Sequence, residues 1–110
     1  MLNNVSILVA ESGKTEDNRM VELLKTRTQA AVIHAKDPTE ALNYINTHSK
    51  IELLFTDLFF PDKAGLKLIQ KVAGANPGIV PIVIMPPGNR QHIIEALQAG
   101  APFYVNTPYE

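Results

Sequence analysis

The chain has no cysteine. Disulfides, zinc–thiolate centres and thiol nucleophiles are therefore excluded. Charge of one sign is also missing: 10 basic and 11 acidic residues leave a formal net charge of −1. That balance gives no long-range attraction to DNA, RNA or an anionic membrane, and no Lys/Arg cluster stands out along the sequence. No stretch approaches the ~20 apolar residues of a membrane helix. Met1-Leu2-Asn3-Asn4 lacks the basic region of a signal peptide, and the apolar run after it is too short for one. These absences lead to the expectation of a cytoplasmic domain that binds neither nucleic acid nor membrane.

What is present suits one domain over residues 1–110. The hydrophobic fraction is 45%, enough for a packed core that needs no cross-links. Five short apolar runs read as strands: Val5 to Ala10, Ala30 to Ala35, Ile51 to Phe55, Ile79 to Met85 and Phe103 to Asn106. Between them lie four stretches with helical spacing. Thr15 caps the first, with Glu16 and Asp17 in its first turn and Met20, Leu23 and Leu24 inward. Asp37-Pro38-Thr39-Glu40 opens the second as a capping box with proline at the first helical position; Ala41, Leu42 and Ile45 form its inner stripe. Leu66, Ile69 and Val72 line the third, which Gly74 and Pro77 end. Ile93, Ile94 and Leu97 mark the fourth, stopped by Gly100.

Strand and helix alternate four times before a last strand. Short connections, apolar strands and right-handed crossovers predict a parallel sheet with helices on both faces, a doubly wound α/β fold. The expected arrangement is flavodoxin-like, with strand order 2-1-3-4-5. Sites in such sheets form at the carboxyl ends of the strands. Those ends carry Glu11 and Ser12, Thr56 and Asp57, Met85 and Pro86, and Asn106 and Thr107.

Gly13-Lys14-Thr15 invites a phosphate-loop reading. The loop's first glycine would have to stand at Leu8, inside a strand, so the segment reads instead as a turn and a helix cap. The acids carry more chemistry. In the order 2-1-3-4-5, Glu11 and Asp57 end neighbouring strands. Two carboxylates there suit a hard cation such as Mg²⁺, and a carboxylate can accept a phosphoryl group. The competing reading is two solvated loop acids. His34, His48 and His92 are too scattered for a metal site. Of Phe59 and Phe60, one is expected to pack into the core and the other to form an apolar lid or contact surface.

The stretches "ILVAES", "LLFTDLFFPDKAG", "IVPIVIMPP" and "EALQAGAPFYVNTPYE" together resemble the receiver domains of two-component response regulators, in order and over nearly the whole chain. Asp57 followed by Pro61 and Gly65, then Gly100-Ala101, Tyr104-Val105 and Pro108, carry the resemblance. It implies a signalling module partnered by a histidine kinase or another regulatory protein. It implies Asp57 as phosphoacceptor, and a metal site from Glu11, Ser12, Asp57 and the backbone carbonyl of Phe59. The family's aromatic switch falls on Tyr104; the plainer alternative is a strand aromatic covering the fourth helix.

Three family positions differ. Ser12 stands for the second acid of the metal site, Pro86 for a hydroxyl residue and Thr107 for a lysine. Each replaces a charged or donating group by one that is neutral or cannot donate, which weakens any Mg²⁺ site and slows phosphoryl transfer. Two readings stay open: a pseudo-receiver acting through protein contacts, or a phosphoacceptor working weakly, with charge from Lys14 or Lys63. In neither is the chain an enzyme beyond self-phosphorylation from a phosphodonor. A small flavodoxin-like ligand binder is a third class; Ser12, Gly13 and Thr15 make a poor phosphate loop for it. Receivers add a fifth helix after Pro108. Its absence predicts a part of a longer chain, or a homodimer through the sheet face left open.

Overall fold

The computed structural model describes residues 6–11, 19–48, 50–58, 60–76, 78–85 and 90–106. Five strands form one parallel sheet: β1 (Ser6–Ala10), β2 (Ala31–Ala35), β3 (Ile51–Asp57), β4 (Val80–Met85) and β5 (Phe103–Asn106). Their spatial order is β2-β1-β3-β4-β5, the order expected. The helices among the described residues are α1 (Arg19–Arg27), α2 (Pro38–Thr47), α3 (Ala64–Ala75) and α4 (Arg90–Ala99).

Alternation along the strands sorts the core onto two faces. Ile7, Val9, Phe55 and Ile84 pack on one side with Met20 and Val21 of α1. Leu8, Ala10 and Leu54 pack on the other with Ala41 and Ile45 of α2 and Leu68 and Val72 of α3. Val83 and Met85 continue that second face beneath Ala96 and Ala99 of α4. The β1–β3 register shifts between Ser6 and Ile7, so that Glu52 is passed over; it is exposed in an otherwise apolar run.

Helix ends follow local chemistry. Asp37 Oδ1 accepts the Glu40 N–H at 2.8 Å, and Pro38 occupies the first turn. Glu40 Oε1 returns to the N–H of Lys36 at 2.9 Å, one residue before the cap rather than to the cap itself. Gly100 ends α4 at φ +115°, with its N–H on Leu97 O and the Ala101 N–H on Ala96 O, at 3.1 and 3.0 Å. That is a Schellman closure, and buried Ala101 packs with Ala96 as the motif requires. α3 ends between Gly74 and Pro77, one residue past the glycine. The helix continues to Ala75 and is capped by Asn76, whose N–H bonds Val72 O at 2.8 Å. One exposed glycine removes too little helix stability to stop a helix whose inner face is buried by Leu68, Ile69 and Val72. The proposed Thr15 cap lies outside the described residues.

On the α1 side the sheet is unevenly covered. Val105 and Ile82 are half-buried, and Phe103, opposite Ile82, is 61% exposed.

Candidate functional site

Two carboxylates mark the carboxyl edge of the central strands. Asp57 is the last residue of β3, two positions beyond the sequence estimate of that strand's end. Glu11 follows β1 directly. Ala10 lies opposite Thr56, so the register carried one residue on sets Glu11 beside Asp57. Glu11 is buried, with 5% of its surface exposed, whereas Asp57 is half-buried. The reading of both acids as solvated loop residues therefore fails for Glu11.

The backbone around each acid is fixed from several sides. The Glu11 N–H donates to Ala35 O at 3.0 Å, extending the β1–β2 ladder past the strand end. Its carbonyl oxygen lies 3.1 Å from His34 Nε2. A carbonyl only accepts, so the His34 proton sits on Nε2. Beyond Asp57, the Leu58 N–H donates to Ile84 O at 3.0 Å. The buried Thr56 hydroxyl donates to Asp57 O at 3.2 Å. Gly65, in the first turn of α3, packs directly under this segment. A Cβ there would overlap the Asp57 carbonyl and come within 2.9 Å of the Leu58 carbonyl oxygen. Glycine lets α3 approach the backbone that carries Asp57.

The connection from β3 to α3 is locally strained. Asp62 and Lys63 hold successive left-handed conformations at φ 60° and φ 57°, which cost non-glycine residues energy. Phe60 folds inward and is buried with the α2–α3 core. Ser12, Lys14, Phe59, Pro86 and Thr107 lie outside the described residues. Tyr104 is 45% exposed and lies opposite Val83, on the α4 side of the sheet.

Glu11 and Asp57 supply oxygen donors, which fits a hard cation that keeps much of its water shell. Among the described residues no group of three His, Cys, Asp or Glu side chains assembles into a fuller site. Sequence reading missed His34. It was grouped with the scattered histidines, yet it buttresses the backbone of the buried acid across the strand pair. Its place at the end of β2, a strand adjacent to β1, was the available signal.

The sequence profile of the response regulator receiver domain matches residues 7–110. The transcriptional regulatory protein PhoP of Escherichia coli K12 is 34% identical over 98 residues, covering 86% of this chain and 44% of PhoP. This chain thus spans less than half the length of that relative. The chemotaxis protein CheY1 of Helicobacter pylori is 27% identical over 107 residues, covering 96% of this chain and 86% of CheY1. The signal receiver domain of an HD domain-containing protein from Pseudomonas fluorescens shares the fold at a TM-score of 0.85 and 20% identity, covering 100% of this chain and 80% of that one. With five parallel strands in the order 2-1-3-4-5 and Asp57 at the tip of the middle one, this chain belongs to the response regulator receiver domain family of two-component signalling.

Proposed function

We propose that this receiver domain works chiefly through protein–protein contacts in the cytoplasm, with a phosphorylation site too incomplete to serve as an efficient switch. The observation that carries this reading is the set Ser12, Pro86 and Thr107 at three positions where the family keeps groups that act on the phosphoryl group or its metal. Phosphoryl transfer depends on positioning and charge stabilisation rather than on covalent chemistry by the protein. Glu11 and Asp57 would hold Mg²⁺, assisted by the Phe59 carbonyl and water. Such an ion would supply positive charge to offset the negative charge of the phosphoryl group arriving at Asp57. The chain's own part is to present an Asp57 oxygen in line with the phosphorus, on backbone held by Leu58, Thr56 and Gly65. Thr107 has no charge to neutralise the acyl phosphate.

The test is incubation with Mg²⁺ and acetyl phosphate, read by intact mass, with Asp57→Asn as control. The expected result is a trace adduct or none. A stoichiometric adduct lost in Asp57→Asn overturns the reading and restores Asp57 as a working phosphoacceptor, with Lys14 or Lys63 the candidates for the missing charge. The partner is then a histidine kinase donating to Asp57; under the favoured reading it is another regulatory protein.

The exposed Phe103 favours a second reading, self-association through the sheet face at β4 and β5. Light scattering tests it. A concentration-dependent dimer abolished by Phe103→Glu supports it, and a monomer at high concentration removes it.

A further inference from the structure

A cavity of about 200 Å³ lies between the β3–α3 connection and α4. Leu58, Phe60 and Leu66 give it apolar walls; Lys63, His92 and Glu95 complete its lining. From Lys63 a row of exposed lysines continues along α3 through Lys67 and Lys71, each four residues from the last. We propose that this face docks an acidic helical segment of a partner protein. Its carboxylates would pair with Lys63, Lys67 and Lys71, and one apolar side chain would enter the cavity beside Leu58. The proposal deepens the reading of the domain as a contact-driven module and rests on it.

Three physical observations support this occupant. The first is charge. Lys67 and Lys71 are one turn apart on α3, and α3 contains no acidic residue to offset them. Like charges at that spacing destabilise a helix, so the domain itself gains nothing from the pair. An acidic helix laid along the row matches the spacing turn for turn. The second is size. A cavity of ~150 Å³ holds a benzene molecule, so this one suits a single leucine or phenylalanine side chain. Drug-sized ligands need pockets of roughly 300 Å³ or more. Affinity at protein interfaces concentrates on such buried anchors, with charged contacts setting register and encounter rate. The third is backbone strain at the junction. Lys63 belongs to both features and holds a left-handed conformation at φ 57°. A residue kept there against its own preference directs a charged side chain to the mouth of the cavity.

Nucleic acid is the other polyanion a lysine row could meet. The chain's isoelectric point near 6.3 lacks the basic excess of a nucleic-acid binder. The row has no arginine, the residue that suits bidentate contact with phosphate. The surface also adjoins the site: Leu58 follows Asp57 and is bonded to Ile84. An occupied cavity therefore bears on the segment that carries the acceptor carboxylate.

The probe is a fluorescein-labelled synthetic helical peptide with glutamates at i, i+4 and i+8 and a phenylalanine one turn before them. Binding is followed by anisotropy at low and physiological salt. We expect saturable binding that weakens about tenfold or more in the domain variant Lys67→Glu/Lys71→Glu. Replacing the peptide phenylalanine by alanine should weaken binding by about tenfold. A peptide with lysines for glutamates should bind the charge-reversed variant better than the parent domain. Circular dichroism checks the variant's fold, and Lys67→Gln/Lys71→Gln serves if charge reversal disturbs it. Absence of binding at low salt overturns the proposal. So does binding indifferent to the lysines or to the phenylalanine, or tighter binding of a single-stranded RNA of equal length. A phosphate adduct on Asp57 would overturn the contact-driven reading while leaving these peptide results intact, so the two failures are distinguishable.

Discussion

The Nε2 of His34 lies 3.1 Å from the carbonyl oxygen of Glu11, on the strand beside it. Together with the Glu11 N–H on Ala35 O, it holds both backbone polar groups of the buried acid from β2. The backbone that carries Glu11 is thus held by a strand that carries no acid of the site. His34→Leu leaves the Glu11 carbonyl without this donor and should cost about 1 kcal/mol. His34→Gln places an N–H at a similar reach and should recover much of the loss. Urea midpoints measure both. Equal midpoints for the parent and His34→Leu would remove His34 from the support of Glu11.

Gly65 is the counterpart beneath Asp57. Its missing Cβ is the space in which the Asp57 and Leu58 carbonyls sit. Gly65→Ala must push α3 away from the end of β3 or displace those carbonyls. Overpacking of this kind costs roughly 1–3 kcal/mol. Gly74→Ala, in the same helix, meets nothing within 4 Å. It should stabilise by several tenths of a kcal/mol up to about 1 kcal/mol, through helix propensity. Opposite signs for two Gly→Ala changes nine residues apart, read by thermal denaturation, distinguish close approach from propensity.

Most of the architecture was legible because it is written in local chemistry. The apolar runs gave the strands, Asp37-Pro38 gave the start of α2, and Gly100 gave the end of α4. The strand order followed from right-handed crossovers together with the receiver-like motifs. The placement of Asp57 at a strand end was also legible, since an acid closes an apolar run there. What escaped was set across the sheet. His34 meets Glu11 over a separation of 23 residues. Its place near the end of β2 becomes informative only once β2 is known to lie beside β1. The lysine row was invisible as a cluster because its members are four apart in sequence, and Lys67 and Lys71 come together only on α3. The end of α3 was legible to within a residue, since Ala75 falls between Gly74 and Pro77.

The paired left-handed residues give a stability prediction of their own. A non-glycine residue in that conformation costs roughly 1–2 kcal/mol. Glycine removes this cost but loses roughly 0.5–1 kcal/mol of backbone entropy on ordering. Asp62→Gly should therefore stabilise the domain by about 0.5–1 kcal/mol in chemical denaturation. Lys63→Gly should do the same while weakening binding of the acidic peptide. A destabilised Asp62→Gly would show that its side chain makes a contact worth more than the backbone strain.

The proposed incompleteness of the phosphorylation site predicts that it can be repaired. Ser12→Asp adds an anionic oxygen donor beside Glu11 in sequence, and Thr107→Lys adds a cation for the phosphoryl oxygens. The two changes act on different charges, one on the metal and one on the phosphate, so neither alone should complete the site. A single well-placed electrostatic donor is worth about 10²–10³ in rate where charge develops. The double variant should form an acetyl-phosphate-derived adduct on the order of 10²-fold faster than the parent. That gain should require Mg²⁺ and vanish when Asp57→Asn is added. If the repaired domain stays as inert as the parent while its circular dichroism is unchanged, the limitation lies elsewhere, and Pro86→Thr becomes the next change to make. A parent domain already as fast as the double variant would mean that Ser12 and Thr107 were never the deficit.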